Sequence, residues 1–309
     1  MNPVDIPPVP PVEIQAPDIS RWREGNTGVP FVHLIDSGLP GPRVHVQALT
    51  HGNEICGAIA VDELLREGFQ PRIGQLCVVF ANHEAYARWD PQDPYSSRYV
   101  DEDINRVWSD AALAVGETVE KRRARELQPF VDEADFILDI HSMNEDCVPL
   151  MVCGTQEKNA RFAAELGMPA HLLLDTGHPA GLRMIERGKF GMAAAPERAL
   201  LIECGQHWEA AAADVARDSL ARFLGLTGLA SPSWVEAHQR QPLPERQRHR
   251  GGGEDHRRHR PQHGHRSRRL ISRQSNHHSP RESTRTFAPQ GVKHARQTQQ
   301  TLQQRREGR

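Results

Sequence analysis

The sequence lacks the features that would place it in a membrane or outside the cell. No apolar run approaches the length of a membrane span, and the acidic, proline-rich start has neither the basic residues nor the apolar stretch of a secretory signal. The five cysteines are odd in number and include no Cys-x-x-Cys pair, so we expect reduced thiols rather than a disulfide framework. These absences indicate a cytoplasmic protein that does not bind a membrane.

Charge is distributed unevenly along the chain. Residues 233–309 hold 18 Lys+Arg and 6 Asp+Glu, a net charge of +12, whereas residues 1–232 hold 20 and 34, a net charge of −14. The basic segment contains two aromatic residues, and no apolar pattern in it is long enough for a helix or a strand. Because such a composition cannot bury a core, we expect residues 233–309 to be a disordered, low-complexity tail.

Three interpretations of this tail stay open. Arginine-rich runs such as residues 257–260 could neutralise the phosphates of a nucleic acid, although aromatic side chains for base stacking are scarce. The tail could also be a solvated extension without a partner. We favour the third interpretation, a shift of reading frame near residues 235–245, because Arg, His, Pro, Gln and Gly dominate and one lysine is present. Nucleic-acid binding is therefore expected only if the tail is genuine.

The preceding segment alternates between strand and helix patterns. Strands are predicted at about residues 43–50, 75–81, 136–141, 149–153, 171–175 and 199–203. Helices are predicted at about residues 54–67, 111–128, 156–166 and 208–224. This alternation predicts one catalytic domain, residues 30–232, with a three-layer α/β sandwich on a mostly parallel, mixed sheet. The proline-rich residues 1–29 are expected to be a loosely held lead-in.

His51 and Glu54 have the spacing of metal ligands where a strand gives way to a helix. Zinc binds imidazole nitrogen and carboxylate oxygen, and a catalytic zinc site takes three protein ligands. His141 is the best third candidate, because it ends an apolar strand and open α/β sheets place their sites there. Asp139 could orient its imidazole from behind. A single His-x-x-Glu pair is common on surfaces, so the assignment depends on other residues.

Two further segments carry side chains suited to the same chemistry. Arg98, Asn105 and Arg106 lie in a polar loop, and arginine binds carboxylates with two hydrogen bonds. The acidic residues 101–103 of this loop are expected to be solvated. Glu203 ends a third apolar strand, a position that suits a general base.

Other polar residues are weaker candidates for a role in the site. Three histidines near strands are expected to be structural: His45, His83 and His207. A small basic group could bind a second substrate carboxylate: Arg183, Arg187 and Lys189.

Four separated motifs resemble those of the aspartoacylase and succinylglutamate desuccinylase family, a branch of the zinc carboxypeptidase superfamily. The motifs are His51-Gly52-Asn53-Glu54, Arg98 with Asp103-Ile104-Asn105-Arg106, Asp139-Ile140-His141, and Ile202-Glu203-Cys204-Gly205. The resemblance spans about residues 30–230 and implies a zinc carboxypeptidase-like fold. By this resemblance one zinc ion is bound by three residues: His51, Glu54 and His141. Glu203 matches the general acid/base, Arg98 the arginine that polarises the scissile carbonyl, and Asn105 with Arg106 the pair that holds a substrate carboxylate.

The resemblance implies a zinc-dependent amidohydrolase that cleaves an N-acyl amino acid or a similar acidic amide. A metal-activated water would attack the carbonyl, Glu203 would transfer the proton, and Arg98 would stabilise the oxyanion. A zinc carboxypeptidase acting on peptides is the first alternative, because Asn105 and Arg106 would serve both reactions. The second is an inactive truncated member, or a nucleic-acid-binding protein with a basic tail. Family members continue into a smaller β-rich domain, and nothing strand-like is expected here after Leu229.

Overall fold

An eight-stranded mixed sheet lies at the centre of the protein in a computed structural model that describes residues 9–240 and the backbone of residues 269–272. These residues belong to one compact unit, Met1–Arg273, and a second unit, Gln274–Arg309, contains none of them. No helix among the described residues has both the length and the apolar character needed to cross a bilayer.

The strands are β1 (Val32–Asp36), β2 (Arg43–Ala48), β3 (Gln75–Phe80), β4 (Phe136–Met143), β5 (Leu150–Val152), β6 (His171–Leu174), β7 (Arg198–Gln206) and β8 (Arg269–Ser272). Their spatial order is β1-β3-β2-β4-β7-β5-β6-β8. The central strands β3, β2, β4 and β7 run parallel, whereas β1 is antiparallel to β3 and β5 is antiparallel to β7. The predicted mostly parallel, mixed sheet is confirmed.

Helices cover both faces of this sheet. They are α1 (Ile55–Glu67), α2 (His83–Tyr86), α3 (Asp110–Leu113), α4 (Val119–Glu133), α5 (Glu157–Leu166), α6 (Ala210–Leu226) and α7 (Pro232–His238). On one face α1, α5 and α6 contribute Val61, Phe162 and Phe223 to a hydrophobic core. On the other face Leu127 of α4 belongs to a second core with Trp108. The predicted three-layer sandwich is therefore confirmed.

Differences from the predicted elements have local causes. Helix α1 ends as expected, with Gly68 in the left-handed conformation at φ 73°. The single helix predicted over residues 111–128 is wrong, because α3 and α4 are separated by a turn at Gly116 (φ 81°). The Thr118 side chain then caps α4 by accepting a hydrogen bond from the amide of Lys121. Strand β1 was not predicted, since it is an edge strand buried on few of its positions.

The lead-in contacts the domain at several points. The Tyr86 hydroxyl donates a hydrogen bond to the carbonyl oxygen of Pro17. The Trp22 indole donates to Asp62 Oδ1 of α1 at 2.8 Å. The expectation of a loosely held segment is wrong for these residues, while residues 1–8 lie outside the described part of the chain.

Two elements follow Leu229. The expectation that nothing strand-like occurs there is wrong for β8, and the expectation that residues 233–309 form no helix is wrong for α7. Helix α7 lies against α1, where the Trp234 indole donates to Glu67 Oε1 at 3.0 Å. The backbone of β8 pairs with β6 in antiparallel register. The rest of the tail, residues 241–268 and 273–309, lies outside the described residues. Its disorder and the frame-shift hypothesis stay predictions.

Candidate metal centre

Three adjacent parallel strands bring the candidate residues to one edge of the sheet. Strands β2, β4 and β7 are neighbours, and His141 of β4 lies opposite Glu203 of β7. The chain leaves β2 through Leu49, which adopts a positive φ of 56°, and reaches His51 two residues later. A Cβ atom at Gly52 would overlap the carbonyl oxygen of Ser97, so a side chain there would separate this turn from the neighbouring loop. The turn therefore depends on glycine.

His51, Glu54 and His141 come together as the sequence predicted. His51 Nδ1 lies 2.7 Å from Glu54 Oε1, and His141 Nδ1 lies 2.8 Å from Glu54 Oε2. One donor atom from each residue falls within 4.8 Å of the others, and all three side chains are buried. Two imidazole nitrogens and one carboxylate oxygen form a donor set that suits zinc. That these residues bind zinc stays a prediction.

A second carboxylate lies next to the other ring nitrogen of each histidine. His51 Nε2 lies 2.9 Å from Asp103 Oδ1, and His141 Nε2 lies 2.8 Å from Asp139 Oδ2. Asp139 is itself oriented by the Thr50 hydroxyl, which donates to Oδ1 at 2.6 Å. Both Nδ1 atoms consequently face Glu54. Asp139 therefore lies behind the imidazole of His141, as the sequence predicted.

Asp103 is a residue that the sequence analysis missed. It was expected to be solvated with its acidic neighbours, but its side chain is only 17% exposed and contacts His51. Burial would raise the pKa of its carboxyl group, yet the hydrogen bond to His51 and the charges of Arg106 and Arg98 hold that pKa well below the usual range. The expectation for Asp103 is therefore wrong. The only signal was its place in the Asp-x-Asn-Arg motif.

Glu54 is ionised in this environment. Burial would raise the pKa of its carboxyl group, but the charges of His51 and His141 and their hydrogen bonds hold it well below its ordinary value. A buried carboxylate between two imidazoles is a strong ligand for a cation, because it has already lost its proton and its water.

The pKa of Glu203 is shifted in the opposite direction from that of Glu54. Its Oε2 is buried and has no hydrogen-bond partner among the described residues. Burial is the largest cause that raises the pKa of Glu203 well above its ordinary value, and His141 opposes the shift. A carboxyl group with a raised pKa beside a candidate metal ligand is a candidate for proton transfer.

The polar loop places Arg98 directly beside the three ligands. Its Nη1 donates to Glu54 Oε1 at 3.3 Å, and its Nη2 donates to Asp103 Oδ2 at 3.3 Å. The side chain is 31% exposed, so the guanidinium group lies between the buried centre and solvent. Arg98 can thus contact a group bound at the centre.

Asn105 and Arg106 flank the same aspartate. The Asn105 side chain is buried, and its Oδ1 accepts a hydrogen bond from the amide of Met184 at 3.0 Å. Arg106 Nη1 donates to the Asn105 carbonyl oxygen at 2.7 Å, while its Nη2 lies 3.5 Å from Asp103 Oδ2. The two residues expected to hold a substrate carboxylate are therefore close to Arg98 and to the centre.

The basic group of Arg183, Arg187 and Lys189 is already paired with acidic side chains. Arg183 binds both oxygens of Asp175 at 2.8 and 2.7 Å and also binds Glu186. Ion pairs likewise engage the other two members of the group: Arg187 with Asp110 and Asp132, and Lys189 with Glu197. The expectation that this group binds substrate is not supported, because its own acidic neighbours already compensate it.

Comparison with protein families gives a match over the centre and its surrounding strands. The model of the succinylglutamate desuccinylase/aspartoacylase catalytic domain matches residues 40–224. This range includes every candidate residue of the centre.

Comparison with solved structures shows the same fold. A succinylglutamate desuccinylase from a Silicibacter species is 20% identical with a TM-score of 0.51, covering 65% of this chain and 61% of that chain. An aspartoacylase family protein from Mesorhizobium loti is 19% identical with a TM-score of 0.51, covering 65% and 62%. The product-bound ectoine utilization protein EutE from Ruegeria pomeroyi is 19% identical with a TM-score of 0.50, covering 65% and 61%. The chain spans about three-fifths of the length of these structures. Comparison with curated proteins gives no match.

Proposed function

Because the catalytic-domain model matches residues 40–224, the chain belongs to the succinylglutamate desuccinylase/aspartoacylase family, and we propose that it is a zinc-dependent amidohydrolase acting on an N-acyl amino acid or a similar acidic amide. The observation that carries this proposal is the buried cluster of His51, Glu54 and His141 beside a Glu203 carboxyl oxygen that has no hydrogen-bond partner among the described residues. A cluster with only a structural role would not need a buried acid without a partner.

The residues fit a zinc ion in their chemistry. His51, Glu54 and His141 would hold the metal through two Nδ1 atoms and a carboxylate oxygen. The carboxylates of Asp103 and Asp139, which lie 2.9 and 2.8 Å from the respective Nε2 atoms, would orient the two rings. Bound zinc would supply Lewis-acid chemistry, which lowers the pKa of a coordinated water to about 7 and polarises a carbonyl group. The remaining chemistry belongs to the protein's own side chains.

Glu203 would transfer the proton. Its raised pKa gives the carboxylate enough basicity to take a proton from the attacking water and then to return it to the leaving amine. Its place opposite His141 puts it next to the reacting groups. One residue would therefore serve both proton transfers.

The loop residues would orient the substrate. The Asn105 Oδ1 atom accepts a hydrogen bond from the Met184 amide, which leaves the side-chain Nδ2 group of Asn105 to donate to a substrate. Arg106 would add a planar pair of donors that match a carboxylate. Arg98 would donate to the oxygen on which negative charge develops during the reaction. An acidic amide fits these donors.

The proposed function is tested by zinc content and amide hydrolysis of the full chain. The substrate panel contains N-acetyl and N-succinyl amino acids together with blocked dipeptides, and His51→Ala is the control. We expect near-stoichiometric zinc and hydrolysis of an N-acyl amino acid, both lost in the control. Cleavage confined to the dipeptides would favour a carboxypeptidase instead. Absence of zinc would contradict the assignment of the centre.

Asp103→Asn is expected to weaken zinc binding by about 10- to 100-fold, because the carboxylate that accepts from His51 Nε2 raises the basicity of the ligand. The dissociation constant is measured by competition with a chelator of known affinity. Asp93→Asn is the matched control, since Asp93 is an exposed aspartate of the same segment. Equal zinc affinity in the Asp103 and Asp93 variants would show that Asp103 does not support His51.

A further inference from the structure

The end of β4 departs from regular pairing at Ser142. His141 lies opposite Glu203, but Met143 lies opposite Gln206, so two residues of β7 face one residue of β4. Gly205 is one of the two, with a φ of 117° that suits glycine. At this irregularity the Ser142 amide donates to Glu54 Oε2 at 3.3 Å. One backbone donor at the end of β4 thus contacts a candidate metal ligand.

The Ser142 side chain is held by a buried histidine. His207 Nδ1 lies 2.8 Å from the Ser142 hydroxyl oxygen, and His207 Nε2 lies 2.6 Å from Asn144 Oδ1. An amide oxygen only accepts, so His207 Nε2 carries the proton and His207 Nδ1 accepts from the Ser142 hydroxyl. Both His207 and Ser142 are almost completely buried.

The far end of this chain of hydrogen bonds is also fixed. The Asn144 carbonyl oxygen accepts from the side-chain amide of Gln206, and the His207 amide donates to the Met143 carbonyl oxygen at 2.9 Å. The indole of Trp208 lies beside the imidazole of His207, with ring centroids 5.4 Å apart. His207 thus does more than pack in the core, because each of its ring nitrogens has a hydrogen-bond partner. One of these partners, Ser142, also contacts Glu54 through its backbone amide.

We propose that Asn144, His207 and Ser142 form a hydrogen-bonded relay that positions Glu54 and thereby sets the affinity of the centre for its metal. His207 is a positioning residue. It restrains the Ser142 hydroxyl and thereby the end of β4, and the Ser142 amide in turn restrains one carboxylate oxygen of Glu54. The inference rests on the proposed zinc function, and it assigns a role to a histidine that the sequence predicted to be structural.

Two substitutions of similar size separate the relay from simple packing. His207→Asn keeps an acceptor near the position of Nδ1 and loses the contact with Asn144. His207→Gln keeps a donor near the position of Nε2 and loses the contact with Ser142. His171→Gln is the control, since His171 is exposed and lies on β6, which is separated from β7 by β5. Ser142→Ala removes the hydroxyl group without altering the histidine.

The first readout is hydrogen exchange at the Ser142 amide in the metal-free protein, and the second is the zinc dissociation constant. We expect His207→Gln and Ser142→Ala to lose amide protection and to bind zinc about 10- to 100-fold more weakly. His207→Asn keeps the contact with Ser142 but loses the contact with Asn144, so its losses should be smaller than those of His207→Gln. The control His171→Gln should resemble the wild type in both readouts. The double variant Ser142→Ala/His207→Gln should lose no more than either single variant, since both remove one contact.

Other results would overturn the inference. Equal effects of His207→Asn and His207→Gln would make the histidine a packing residue, and wild-type behaviour in both would remove it from the site. If the wild type binds no zinc, the proposed function fails. The exchange of the Ser142 amide then still decides whether His207 restrains this strand end.

Discussion

Glu203→Gln is expected to lower kcat by about 10²- to 10⁴-fold, the usual contribution of a general acid–base group. Glutamine keeps the size of the side chain but neither accepts nor returns a proton at neutral pH. Since Glu203 is not among the three candidate ligands, the zinc content should be unchanged. Steady-state hydrolysis and metal analysis of the same preparation measure both quantities. Glu209→Gln is the matched control, because Glu209 follows the same strand and its side chain caps no helix.

The pH profile adds a second readout for Glu203. Burial raises the pKa of this carboxyl group above its ordinary value of 4.5. The group must be deprotonated to act as a base, so kcat should fall as the pH decreases through this raised pKa and should rise above it. Glu203→Gln should lack that acidic limb. An unchanged limb in the variant would assign the titration to another group and contradict the role of Glu203.

Arg98→Ala is expected to lower kcat by about 10²- to 10³-fold, equivalent to about 2.7–4 kcal/mol in the barrier, the usual cost of losing one donor to an oxyanion. The guanidinium group lies within 3.3 Å of Glu54 Oε1 and at the edge of the centre, where charge would develop during the reaction. Because Arg98 also contacts Asp103, zinc content is measured alongside kcat.

Arg98→Lys distinguishes charge from geometry. Lysine keeps the positive charge but lacks the planar pair of donors, so we expect only partial recovery of kcat. Arg161→Ala is the control, since Arg161 is 79% exposed and pairs with Glu157 on a distant helix. Turnover by Arg98→Ala at the wild-type rate would exclude Arg98 from oxyanion stabilisation.

The sequence contained enough information to predict the sheet and most of the centre. His51, His141 and Glu203 each follow or end an apolar run, and the ends of parallel strands meet at one edge. Their proximity therefore follows from local patterns plus one rule of topology. Residues 111–128 show the opposite case, because Gly116 and the Thr118 cap interrupt an otherwise continuous helical pattern.

Residues whose contacts depend on backbone detail could not be predicted. Asp103 and its two acidic neighbours look alike in the sequence, and only the fold shows which carboxylate turns toward His51, 52 positions away. The contact between Ser142 and His207 spans 65 positions and depends on an irregularity that no hydrophobic pattern encodes. A period of two or 3.6 residues reports which face is buried, but it does not report which polar atom meets which.

Asp103 joins two halves of the site that are otherwise distinct. One of its oxygens contacts His51, and the other lies near Arg98 and Arg106. A cation bound through His51 and an anion bound by the arginines would therefore both change the charge balance at a single carboxylate. Thermodynamic linkage makes such an effect reciprocal, so that occupancy on one side alters the affinity on the other by the same factor. A metal ion bound by His51 and a carboxylate bound by Arg98 and Arg106 would consequently not be independent ligands, because their binding free energies would share a coupling term that passes through Asp103.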